Sequence, residues 1–353
     1  MDIYISFFLS LFISIAATPL VIKIAEKHDI SDKPDHNRKI HDDNIPLLGG
    51  LAIYLGFIIS FLIFIDLDKS TIAFIITSMI ILITGIFDDI HNVPARTRLL
   101  IEAGCALYMA CVGMRVDIGQ YIFKSNVLIY LLDFILTVLW IIGVINAVNL
   151  VDGVDGLAGG VVAIAALGFA IIGSVIYKDI MFIMALSLIG AVIGFLIYNR
   201  NPAKIFMGDA GSTFLGYVLS ILSIMSIDLS INKASLFVPV IILTVPIFDT
   251  GCAILRRIFS KKSVLVADRG HIHHRLLNLG YSQKKTVYII YAIAIASLIV
   301  GLIVYMGEHF MAGLLTVLAL IVLGIALSLR IVNEEQPTVK HRSMIERERN
   351  QMM

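Results

Sequence analysis

Apolar residues along this chain come in long unbroken runs, not in the alternation of half-buried strands or the 3.6-residue stripe of surface helices. Such runs can be drawn at about residues 3–22, 46–65, 71–87, 99–114, 127–148, 158–176, 180–198, 211–227, 234–255, 286–306 and 309–329. Their lengths approach the roughly 20 residues with which a helix crosses a ~30 Å hydrocarbon core, and the ten-residue alternation of a membrane barrel is missing. The pattern therefore predicts an all-α integral membrane protein of about eleven transmembrane helices. An odd count puts the two termini on opposite sides.

Polar residues collect in the connections on one side. Of the 27 Lys and Arg residues, 22 fall on that side, in segments 23–45, 88–98, 199–210 and 256–285 and in the tail from Arg330. Positive charge is retained on the cytoplasmic face, so the N-terminus is expected outside and the C-terminus inside, in a bacterial cytoplasmic membrane. The first run continues past Pro19 to Ile24 with no small-residue cleavage site, which predicts a retained span and not a removed signal peptide. One polytopic domain over 1–332 is expected, followed by a charged, solvated tail at 333–353.

Composition narrows the function classes. With 59% hydrophobic and 15% charged residues and a mean hydropathy of +0.94, a soluble enzyme is excluded. The net charge of +1 gives no bias toward nucleic acid. Cys105, Cys111 and Cys252 lie in apolar runs without metal-type spacing, so neither a disulfide framework nor a cysteine metal site is expected.

Five polar clusters share the predicted inner face: KPDHNRKIHDDN at 33–44, DDIHNVPARTR at 88–98, NAVNLVDGVDG at 146–156, NRNPAKIFMGDAGS at 199–212 and ADRGHIHHRL at 267–276. Clusters from such distant stretches on one face suggest a single assembled site. Asp88 and Asp89 are adjacent carboxylates at a membrane edge; they are either a solvated acidic helix end or a pair compensated by a cation such as Mg²⁺. Asn146, Asn149, Asp152 and Asp155 recur every third residue. That spacing predicts a helix continuing out of the fifth run, with the four side chains on one slowly drifting face and Gly153 and Gly156 opening it to a diphosphate. Asp209 in FMGDAGS is either an N-cap of the eighth run or a Mg²⁺ ligand beside a phosphate-favouring helix end, with Phe206 placed to stack on a base. His271, His273 and His274, beside Asp268, Arg269 and Arg275, lack the spacing of a zinc site and suit phosphoryl groups. Asp249, two turns before Arg256 and Arg257, needs a polar cavity or a basic partner at its depth; Glu102 near Arg98 reads as an ion pair.

Taken together, PLLGG (46–50), FDD (87–89), NAVNLVDGVDGLAGG (146–160), NPAKIFMGDAGS (201–212), PIFD (246–249) and DRGHIHHRL (268–276) resemble the polyprenyl-phosphate N-acetylhexosamine-1-phosphate transferases, glycosyltransferase family 4 of the WecA/TagO/MraY type. The resemblance implies transfer of a sugar 1-phosphate from a UDP-N-acetylhexosamine to undecaprenyl phosphate on the cytoplasmic leaflet, with release of UMP and a requirement for Mg²⁺, or Mn²⁺ in its place. It implies that Asp209 is the metal ligand and that Asp88 and Asp89 belong to the catalytic centre, with Asp152 and His271 as further candidates. Phe206, Asn199, Gly153 and Asp155 would border the uridine. Arg98, Arg269, His273 and His274, with Asn146 and Asn149, would contact the rest of the donor. Arg98 stands where the family has a lysine. PIFD and DRGHIHH resemble the WecA/TagO branch, which implies UDP-N-acetylglucosamine as donor; the phospho-MurNAc-pentapeptide branch is second. A homodimer is a further expectation, though no sequence feature points to its surface. From other classes, an ion-coupled transporter would place its polar residues near the midplane, and a CDP-alcohol phosphotransferase would need an arginine and further aspartates that do not follow Asp155.

Overall fold

The computed structural model describes residues 3–32, 44–230, 232–260 and 270–328. Each of the eleven apolar runs is helical over most of its length. The helices are α1 (Ile5–Lys27), α2 (Gly49–Phe64), α3 (Lys69–His91), α4 (Ala95–Val112), α5 (Asn126–Val151), α6 (Leu157–Val175), α7 (Asp179–Asn199), α8 (Gly208–Met225), α9 (Val238–Ile242), α10 (Thr244–Phe259), α11 (Ile272–Asn278), α12 (Gln283–Met306) and α13 (Phe310–Ser328). Among the described residues eight of these, α1, α3, α5, α6, α7, α8, α12 and α13, are long and apolar enough to cross a membrane. The protein is an all-α, multi-pass membrane protein. A two-residue antiparallel pairing of β1 (Ser31–Asp32) with β2 (Ile45–Pro46) closes the connection between α1 and α2. The tail at 333–353 lies outside the described residues.

The ninth run departs from a single span. Proline at position 246 has no N–H to give residue 242 and its ring crowds that carbonyl, so the run breaks at Leu243 into α9 and α10. Proline acts differently in α1. There Pro19 frees the carbonyl of Ile15, and the hydroxyl of Tyr198 on α7 donates to it at 3.2 Å, so the helix continues without an orphaned acceptor.

Small residues set how closely the helices approach. Ser6, Ser10, Ser14 and Thr18 form a buried stripe along α1, and Gly190 and Gly194 of α7 lie directly against it. In a lipid-facing bundle, where apolar burial between helices gains little over contact with acyl chains, such backbone proximity is the principal source of packing energy. α8 runs through the centre and is buried from Ala210 to Met225. A Cβ at Gly50 of α2 would collide with the backbone of Gly211, and one at Gly85 of α3 with that of Ala210. Further along α8, Phe214 and Tyr217 join Phe57, Phe61 and Phe74 in one aromatic cluster.

These approaches give a stability test. Gly50→Val should cost about 1–3 kcal/mol by forcing α2 off α8, read as a lower unfolding midpoint in detergent. Gly104→Ala, at a helical position with nothing within 4 Å of the new methyl, should add about 0.5–1 kcal/mol of stability, read as a higher midpoint. Equal midpoints for Gly50→Val and wild type would show that the two helices are not pressed together.

Candidate active site

At one end of the bundle the C-termini of α1, α3, α5 and α7 meet the N-termini of α2, α6 and α8. The chain leaves α3 at Asn92, in the left-handed conformation, and Pro94 opens α4, so that Arg98 one turn later points back at the end of α3. Asp88, 6% exposed, pairs with Arg98 and accepts from the N–H of Val93 at 2.6 Å. Asp89 is about 100° further around the helix and faces α8, where its two oxygens accept from the N–H groups of Asp209 and Ala210 at 2.7 and 3.2 Å. The adjacent carboxylates thus do not share one environment.

Asp209 is not an N-cap. It sits inside the first turn of α8 behind Met207, and the capping carboxylate comes from Asp89 on another helix. Its own oxygens are held apart, Oδ1 by Asn149 Nδ2 at 2.7 Å and Oδ2 by Arg98 Nη1 at 3.2 Å. Phe206 lies at the cavity wall, its backbone joined to the PLLGG segment by N–H donation to Pro46 O and acceptance from Gly49 N, both 2.9 Å.

The expected single helical face at 146–155 is overturned. α5 ends at Val151, its C-cap Asp152 leaves helical geometry at ψ 67°, and residues 152–156 form a turn that closes at Gly156, the left-handed N-cap of α6 at φ +76°. Asn149 and Asp152 reach the cavity. Asn146 does not: one turn earlier on α5 it donates to Glu102 and to the carbonyl of Ile142. Asp155 turns to the 201–203 loop, accepting from Asn201 Nδ2 at 3.0 Å and Ala203 N at 3.1 Å. Asn199 braces both loops, accepting from Gly156 N and donating to Ile205 O. Burial, with Asp209 and Asp155 nearby, pushes the Asp152 carboxyl up to about 7.

The histidines separate into three environments. His271, 4% exposed, pairs through Nδ1 with Asp249 at 3.0 Å, and Asp249 also accepts from Ile272 N at 2.9 Å. This is the basic partner that Asp249 requires, and it holds His271 off the cavity wall. His273 stacks on His271 and abuts Gly153, where a Cβ would strike the ring; its two nitrogens are buried without a hydrogen-bond partner. Burial beside His274 pushes it down to about 4, so it is neutral at pH 7. Of the three only His274 lines the cavity, and Arg275 is exposed away from it. Arg269 lies outside the described residues, as do residues 33–43.

The cavity enclosed by these loops has a volume of about 1220 Å³. Among the described residues its lining carries eight carboxylates, from Glu26, Asp29, Asp32, Asp88, Asp89, Asp152, Asp155 and Asp209, against Lys204 as the one lysine or arginine. No three His, Cys, Asp or Glu side chains among the described residues close on a single point as a protein metal cage would. Mg²⁺ does not need such a cage, since it is held by one or two carboxylates with water and substrate phosphates in the other positions. Asp209, with Asp88 and Asp152 nearby, fits that donor set. The motif-based reading did not single out Glu26, His28, Asp29, Asn92, Ser212 or Gln283, which also line the wall; Asn92 and Ser212 lie within quoted polar clusters, whereas Glu26, His28, Asp29 and Gln283 lie at helix ends outside them.

The sequence model of Glycosyl transferase family 4 matches residues 71–227. A probable undecaprenyl-phosphate N-acetylglucosaminyl 1-phosphate transferase of Bacillus subtilis is 36% identical over 82% of this chain and 82% of its own. The undecaprenyl-phosphate alpha-N-acetylglucosaminyl 1-phosphate transferase of Haemophilus influenzae is 31% identical over 77% of this chain and 78% of its own. A decaprenyl-phosphate N-acetylglucosaminephosphotransferase of Mycolicibacterium smegmatis is 30% identical over 72% and 70%.

The depressed His273 predicts a pH dependence of stability. Below its ordinary value near 6.5 the unfolded chain takes up a proton that the folded chain refuses, so stability should fall as pH drops from 6.5 to 4, by up to roughly 3 kcal/mol. Unfolding midpoints measured across that window should decline less for His273→Phe than for wild type; parallel curves would count against a buried neutral His273.

Proposed function

The chain belongs to glycosyl transferase family 4, and from that premise we propose its reaction. It is a membrane enzyme that transfers N-acetylglucosamine 1-phosphate from UDP-N-acetylglucosamine to undecaprenyl phosphate, releasing UMP. The observation that carries this reading from family to site is the acidic cavity at the ends of apolar helices, which brings five of the motif segments around one space. The relatives' names favour the N-acetylglucosamine donor over a MurNAc-pentapeptide donor. A transporter is disfavoured because the polar groups cluster at one end of the bundle and not at its middle.

An oxygen of the lipid phosphate attacks the β-phosphorus of the donor; the new O–P bond replaces the bridge to the α-phosphate, which leaves as UMP. With a second phosphate pKa of about 6, the nucleophile is already largely ionised at neutral pH and needs no strong base. Both substrates are anions entering a carboxylate-rich cavity, so the reaction requires added positive charge. Bound at Asp209, with Asp88 and Asp152 beside it, Mg²⁺ (or Mn²⁺) would supply that charge on the diphosphate and the leaving UMP.

The chain's own residues do the positioning. Arg98 holds Asp88 and Asp209 in register, Asn149 orients Asp209, and Asp89 fixes the α8 terminus on which Asp209 is carried. Because both oxygens of Asp89 are engaged by backbone N–H groups and Asp88 is held by Arg98 and Val93, we favour direct attack over a phospho-aspartyl intermediate. Phe206 and Asn199 line the cavity and would border a uracil there, and His274, also on its wall, would donate to phosphoryl oxygens. The excess of Lys and Arg on this side supports a cytoplasmic orientation in the bacterial inner membrane.

Purified protein with labelled UDP-N-acetylglucosamine, undecaprenyl phosphate and Mg²⁺ should give labelled lipid, with a loss of about 10²–10³-fold in Asp209→Asn. Labelling from UDP-MurNAc-pentapeptide alone would move the protein to the other branch. Incubation with UDP-sugar alone should leave no base-labile phosphate on the chain; phosphoenzyme that disappears in Asp88→Asn would overturn direct attack.

A further inference from the structure

A second cavity, about 640 Å³, opens between the end of α7 and the start of α12. One wall is apolar, built from Ile193, Ile197, Val287 and Tyr288, of which Ile197 and Tyr288 are 48% and 69% exposed. The other end carries two cations. Arg200 is the C-cap of α7, and Lys284 lies in the first turn of α12, where the positive end of the helix dipole makes a lysine unfavourable unless an anion compensates it. Neither side chain has a hydrogen-bond or ion-pair partner among the described residues. The neighbouring Lys285, by contrast, stacks on the ring of Tyr281 at 4.5 Å.

We propose that this groove is a binding site for an anionic phospholipid, with an acyl chain along Ile193, Ile197 and Tyr288 and the headgroup phosphate between Arg200 and Lys284, and that its occupancy supports the catalytic loop. α7 and α12 are both membrane-length helices, so the apolar wall lies at acyl-chain depth and the two cations at the interface. The occupant is a phospholipid and not the polyprenyl phosphate acceptor because a hydrogen-bonded wall separates the groove from the catalytic cavity. That wall is Asp155, held by Asn201 and Ala203, with Asn201 also donating to Gln283. A phosphate drawn to Arg200 and Lys284 would have to pass a carboxylate to reach Asp209.

Coupling to the active site follows from the floor of the groove. Tyr291 of α12 donates to the carbonyl of Gly156 at 2.6 Å, at the end of the turn that carries Asp152 and Asp155. A phosphate bridging Arg200 and Lys284 pins the end of α7 to the start of α12 and so keeps Tyr291 on that turn. The activity arm of this inference rests on the proposed transferase reaction; the binding arm does not.

The test uses the full-length protein in nanodiscs of phosphatidylcholine alone or with phosphatidylglycerol, reading phosphatidylglycerol retention by native mass spectrometry and initial transfer rates. Wild type should retain phosphatidylglycerol and transfer faster in its presence. Arg200→Gln and Lys284→Gln should each weaken retention by about fivefold, and the double variant should lose the stimulation while keeping the phosphatidylcholine rate. Lys284→Arg and Lys285→Gln should behave as wild type. Retention and stimulation unchanged in the double variant would overturn the proposal. So would unchanged retention with a raised KM for undecaprenyl phosphate, which would make the groove a substrate path. Absence of transfer in every membrane with retention still dependent on Arg200 and Lys284 would reject the transferase reading and leave the lipid site standing.

Discussion

The contact on which the site depends is the capping of α8 by a carboxylate from α3. A helix buried from its first turn exposes N–H groups that water cannot reach, and Asp89 accepts two of them. That contact is possible only because the backbones come very close: Gly85 of α3 and Gly50 of α2 lie against the start of α8, and Gly208 leaves room for the Asp89 carboxylate, which a Cβ would strike. With α8 fixed in this way Asp209 projects into the cavity, and Arg98 and Asn149 reach it from two further helices.

The same end of the bundle concentrates more negative charge than its described cations offset. Carboxylates at a membrane edge are costly, and four here have individual solutions: a guanidinium for Asp88, backbone N–H groups for Asp89, loop amides for Asp155, and a histidine with a backbone N–H for Asp249. Among the described residues Asp152 has no such partner, and burial with Asp209 and Asp155 nearby pushes its carboxyl up. In the proposed reaction a nucleotide diphosphate entering a cavity with this charge pattern would need positive charge to arrive with it.

Much of the architecture could be read along the chain because bilayer thickness imposes a length on every span and water imposes polarity on every connection. The exceptions have local causes. Pro246 splits the ninth run, and the chain leaves α5 at Asp152 and turns into α6 through left-handed Gly156, where a three-residue recurrence of Asn and Asp suggested continued helix. Within the site, residues in dense motifs such as FDD and FMGDAGS stood out, whereas Glu26, Asp29 and Gln283, at helix ends outside the polar clusters, did not.

From the sequence alone came the membrane class, the helical runs, the gathering of polar clusters on one face and the family resemblance, because these rest on composition, run length and short-range spacing. Only the tertiary structure decided how those clusters are used. It turned Asn146 toward Glu102 and Asn149 toward Asp209, set Asp88 and Asp89 to different partners, and placed His271 behind His273 and His274. Such roles depend on which residue from a distant helix lies within 3 Å, and spacing along one segment does not contain that information.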